Sequence, residues 1–122
     1  KSKELTSMIE VRERTKVLWF SRHEMTASQI MDLERIFGRV VVNQVSRTIQ
    51  HATELKREIH ENDVIAIVAP LPLQQEFLEL AGGKPVIFCK NKRILDGDGG
   101  KVRFIFDGWF KIKKIDVVIE SL

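Results

Sequence analysis

The chain has 122 residues, 43% of them hydrophobic, enough for one continuous core and too few for two. Its formal charge of +3 is unevenly placed: residues 1–83 carry 11 basic and 12 acidic side chains, whereas residues 84–122 carry 9 and 5. No apolar run of about 18 residues is present to span a bilayer, the Lys1-Ser2-Lys3-Glu4 start lacks the apolar stretch of a secretory signal, and a lone Cys89 excludes an internal disulfide and a multi-cysteine metal site.

These features lead us to expect a soluble, cytoplasmic protein that does not engage membranes. Residues 1–16 are strongly charged, with Leu5, Met8, Ile9 and Val11 supplying some apolar surface, and read as an appendage to one domain over 17–122. Val17-Leu18-Trp19-Phe20 is a continuous apolar run, the mark of a strand buried on both faces of a parallel sheet. Thr26-Ala27-Ser28-Gln29 is a capping box, followed by Ile30, Leu33 and Phe37 at helical spacing and by Gly38 as a stop. Val40-Val41-Val42 gives a second strand. Thr48 is placed to cap a second helix whose Ile49, Ala52, Leu55 and Ile59 share one face. Val64 to Val68 gives a third strand and Pro70 to Gly82 a third helix, with Leu73, Phe77 and Leu80 inward. Val86-Ile87-Phe88 is the fourth strand.

The alternation then stops. Leu95 to Gly100 is dense in turn formers, Val102, Phe104 and Phe106 alternate with their neighbours, and Ile112 to Ile119 suggests a last strand. The βαβα order implies right-handed crossovers and a Rossmann-like three-layer α/β domain: about four parallel strands alternating with three helices, then C-terminal antiparallel strands.

In such a sheet, ligands bind beyond the carboxyl ends of the strands. That rule selects Ser21, Arg22, His23 and Glu24 after the first strand, and Asn43, Gln44, Ser46 and Arg47 after the second. It also selects Pro70 and Leu71 after the third strand, and Lys90, Asn91 and Arg93 after the fourth. Arg22, Arg47, Lys90 and Arg93 would make a rim for a phosphate or another small anion, aided by amide side chains and two helix starts. His23 and Glu24 are the catalytic candidates, as proton carrier and as base or orienter; the alternative is that Ser21 and Glu24 only tie the loop down and Arg22 pairs with a neighbouring acid. Glycine-rich fingerprints for dinucleotides or triphosphates are missing, and no cofactor or metal is expected. His51 and His60 lie nine residues apart and cannot share a metal. Asp96 and Asp98 resemble the opening of a calcium loop without its later ligands, so a hairpin turn is the simpler reading. Trp109 and Phe110, beside Lys111, Lys113 and Lys114, either cover the core or a subunit interface, or stack on nucleic acid. Cys89 reads as a packed strand residue, with a catalytic thiol as the alternative.

Ser21-Arg22-His23-Glu24-x-Thr26, Gln29, Asp32-Leu33 and Ile36-x-Gly38 resemble the opening of a family of short uncharacterised proteins from phages and mobile elements. Asp63 to Pro70, Lys84-Pro85-Val86 and Gly108-Trp109 resemble its later parts, and the likeness spans roughly residues 17–120. It implies the architecture and a phage setting, and no particular reaction. The layout is also similar to sensor domains that bind cyclic oligonucleotides across a dimer of Rossmann-like folds.

Three functions follow as expectations. The first is a non-catalytic homodimer binding a nucleotide or related anion through Ser21, Arg22, His23, Asn43, Arg47, Lys90, Asn91 and Arg93. The second is a nucleotide or phosphoester enzyme using His23 and Glu24. The third is a protein- or nucleic-acid-interaction module using the basic last third.

Overall fold

The structure, a computed structural model, describes residues 14–95, 97 and 99–122. Residues 1–13 of the expected appendage, and Asp96 and Asp98 of the expected turn, lie outside the described residues. The elements run β1 (Thr15–Phe20), α1 (Ala27–Phe37), β2 (Val40–Val45), a 3₁₀ turn (Ala52–Leu55) leading into α2 (Lys56–Glu61), β3 (Val64–Ile67), α3 (Leu71–Leu80), β4 (Val86–Leu95) and β5 (Val102–Lys111). The sheet order is β2-β1-β3-β4-β5; the first four are parallel to one another and β5 is antiparallel to β4. This is the expected Rossmann-like three-layer α/β fold with an antiparallel C-terminal strand.

The two-residue period of a strand sends alternate side chains to opposite layers. Val17 and Trp19 of β1, with Val64 and Ala66 of β3, pack against Leu33 of α1. Leu18, Phe20, Ile65 and Ile67 pack on the other face, against Leu55, Ile59, Leu73 and Phe77 from the 3₁₀ turn, α2 and α3. Both faces are covered, which explains the unbroken apolar runs. The capping box at α1 is formed: Gln29 N donates to Thr26 Oγ1 (3.2 Å) and Thr26 N donates to Gln29 Oε1 (2.8 Å). Gly38, at φ +79°, ends the helix and donates to Glu34 O at 2.9 Å.

The second helix starts later than its apolar spacing suggests. Glu54 Oε2 accepts from the backbone N–H of Gln50 (2.8 Å) and of His51 (3.0 Å), and Glu76 Oε1 accepts from that of Ala52 (3.1 Å). These carboxylates hold the chain through His51 in a non-helical path, so Thr48 is not the cap. The fourth strand also continues well past Phe88, to Leu95, because β5 supplies its partner. The strand expected over 112–119 is not formed. Ile112 N donates to Val86 O (2.8 Å), and Ile112 and Ile115 rest on the core, but among the described residues no strand continues the ladder.

Candidate functional site

The chain leaves β1 for β2 on one side, and β3 lies on the other side of β1, so the strand order reverses between β1 and β3. Outside the carboxyl ends of such strands the loops diverge and leave a crevice. A cleft of about 380 Å³ opens there, lined by Ser21, Arg22 and His23 after β1, by Ser46, Arg47, Thr48 and Ile49 after β2, and by Val68 and Pro70 after β3. Phe20, Val45 and Leu73 also line it and join it to the core.

The loop after β1 is fixed by its backbone. Ser21 N donates to Val45 O (3.2 Å), and Gln44 Nε2 donates to both Ser21 O (2.9 Å) and His23 O (3.0 Å). The buried Trp19 satisfies its indole N–H on His23 O (2.8 Å), and His23 N donates to Ser21 Oγ (3.1 Å). Ser21 is thus buried and tied down, whereas the side chains of Arg22 and His23 are exposed. Arg22 Nη2 donates to Thr48 Oγ1, joining the loops after β1 and β2 across the cleft. That contact uses one of five guanidinium donors. Arg47 Nη2 donates to Glu54 O at 3.3 Å. Among the described residues no carboxylate lines the cleft, so Arg22 and Arg47 give it a positive field over an apolar floor.

The helix starts contribute less than the sequence suggests. Glu54 and Glu76 already occupy the start of the 3₁₀ turn, and the N–H groups of Leu73 and Gln74 both donate to Pro70 O at 3.0 Å. The bonds from His51 and Gln50, with the charge of Arg47 adding less, hold the Glu54 carboxyl below the usual carboxylate range. The Gln44 amide is spent on the loop. Recognition of an anion therefore falls to the guanidiniums.

Several selected residues lie elsewhere. Glu24 is exposed, does not line the cleft and, among the described residues, makes no hydrogen bond to the His23 ring. Asn43 sits within β2, where its Nδ2 donates to Oδ1 of the buried Asn62 (2.9 Å), whose own amide donates to Glu58 O (2.7 Å). Lys90, Asn91 and Arg93 are not at a strand end, because β4 runs on through them; Lys90 Nζ lies 4.3 Å over the Phe110 ring. Leu71 is exposed and outside the lining. Ile49 is in the core, as read from sequence, and also lines the cleft; Thr48, read as a cap, is a cleft residue, and nothing local in the sequence marks it as the acceptor for Arg22.

Trp109 covers the core beneath α1: its Nε1 donates to Gln29 O (3.0 Å) and its ring meets Trp19 edge-on, with centroids 5.7 Å apart. Cys89 lies 3.5 Å from Gln29 Nε2, and burial raises its thiol pKa, the opposite of what a nucleophile needs. Among the described residues, no three His, Cys, Asp or Glu side chains gather as metal ligands, and no helix is long and apolar enough to cross a membrane. Comparison of the chain with protein-family models, with curated proteins and with solved structures finds no significant match.

Proposed function

We propose that this chain is a non-catalytic binding protein for a small anion of the nucleotide class, held in the cleft at the ends of β1, β2 and β3. The reading rests on one arrangement: Arg22 and Arg47 on the rim, no carboxylate among the described lining residues, and Phe20, Ile49 and Leu73 below. Guanidiniums suit phosphate oxygens because they offer several N–H donors in one plane. The apolar floor suits a base or ribose. Thr48, the present acceptor of Arg22, is a neutral hydroxyl that a phosphate oxygen can displace at little cost.

Binding is favoured over catalysis because, among the described residues, no carboxylate lies beside His23 in the cleft, and Glu24 is outside it. Isothermal titration calorimetry with mononucleotides, cyclic dinucleotides and inorganic phosphate tests the reading. At least one nucleotide binds, more weakly as salt rises and more weakly to Arg47→Ala, since charge-assisted contacts of this kind are screened. Absence of heat or thermal shift with every anion in the panel sinks it.

A further inference from the structure

Past the bulge between Cys89 and Asn91, β4 and β5 form a two-stranded arm. Cross-strand partners share a face, so the pairs Asn91–Phe106, Arg93–Phe104 and Leu95–Val102 place Phe106, Phe104, Val102 and Leu95 together. On that face Leu95 is 68% and Phe104 69% exposed. β5 is also the last strand of the sheet, and no described residue pairs with its outer edge. An exposed edge beside an apolar face is a template for another strand.

The chain carries a segment with the matching pattern. After Ile115, which packs on the core, Val117, Val118 and Ile119 are 83%, 91% and 87% exposed and belong to no strand. Val117 and Ile119 would form one β-branched strand face, with Asp116, Val118 and Glu120 on the other. The charges are complementary: residues 91–106 bear four cations and two acids, a net +2, whereas 116–120 bears two acids and no cation. Lys114 lies 3.1 Å from Asp116, an exposed pair that holds the segment only weakly. The segment cannot fold back on its own β5. Ile112 is bonded to Val86 O and Ile115 is seated on the core, and Lys111 to Ile115 contains no Gly, Pro, Asn or Asp to reverse the chain.

We infer that residues 116–120 of a second copy of this chain add as a strand to the outer edge of β5, reciprocally about a twofold axis. The dimer is independent of what the cleft holds. Sedimentation equilibrium of the full chain tests it with two variants at exposed positions, Val117→Asp with Ile119→Asp, and Phe104→Asp. The wild type dimerises as concentration rises, and each variant raises the dissociation constant about tenfold or more with unchanged circular dichroism, because a charge is placed against an apolar strand face. Mixing the two variants restores part of the dimer, since one intact segment then meets one intact arm. A wild type that stays monomeric at every concentration overturns the inference. So does either variant dimerising like the wild type, or a mixture that restores nothing.

Discussion

In the half of the sheet around β1 and β3, Val17 to Phe20 and Val64 to Ile67 are buried on both faces, and the loop after β1 is held by Gln44, Trp19 and Val45. In the arm, Lys90 to Arg93 and Val102 to Ile105 are exposed, and each strand is held by the other. The contrast teaches where each kind of work can be done. A site that must present Arg22 and Arg47 at fixed separation needs the first region, because packing and backbone hydrogen bonds remove the freedom of its loops. The arm leaves apolar surface exposed and, among the described residues, no strand along the outer edge of β5.

The largest effect that tests this contrast is in the core. Trp19→Ala removes a fully buried ring, its edge-on contact with Trp109 and its bond to His23 O, and is expected to cost about 3–5 kcal/mol in urea unfolding. Phe104→Ala, measured at low protein concentration, is expected within about 0.5 kcal/mol of wild type. Equal losses would erase the distinction between the two regions.

Next is the rim. Arg22→Ala is expected to weaken nucleotide binding about 10- to 100-fold, the range of a lost charge-assisted contact, while leaving stability within about 0.5 kcal/mol. Calorimetry and urea unfolding on the same sample separate the two. Asn43→Ala should do the reverse: it leaves Oδ1 of the buried Asn62 without its donor, costing about 1–3 kcal/mol of stability with binding retained. Loss of binding without loss of stability in that variant would return Asn43 to the site.

The smallest effect is acid-dependent. The Glu54 carboxyl is held below its ordinary range by the N–H groups of His51 and Gln50, so its contribution is complete above the unfolded pKa. It fades as pH falls through the carboxylate range toward the lowered folded value. Glu54→Gln, whose amide does not titrate there, should show a shallower fall of stability across that window. An identical pH profile would remove Glu54 as the anchor of the loop that carries Arg47 and Thr48.

The architecture was legible because its signals are local. Apolar runs at 17–20 and 64–68, a capping box at Thr26 and a stop at Gly38 each follow from the immediate neighbours. What was not legible depended on distant partners. The second helix begins late because Glu76, on α3, takes the N–H of Ala52. The strand β4 outlasts its apolar run because β5 pairs with polar residues that bury nothing, and this carries Lys90, Asn91 and Arg93 away from the strand ends. Residues 115–119 have the alternation of a strand but no partner within the described chain, so the pattern alone did not make one. In the site, Ser21, Arg22, His23 and Arg47 followed from the topological rule. Thr48 and the apolar floor required the three-dimensional path of the loop after β2.

Amide NMR of the full chain titrated with a mononucleotide tests the central claim most directly, because it reports where an anion goes. Shifts concentrated at Ser21–His23 and at 45–49, absent in the Arg22→Ala, Arg47→Ala double variant, are the predicted result. Shifts confined to the arm around Lys92, Arg93 and Lys101, and retained in the double variant, would contradict it.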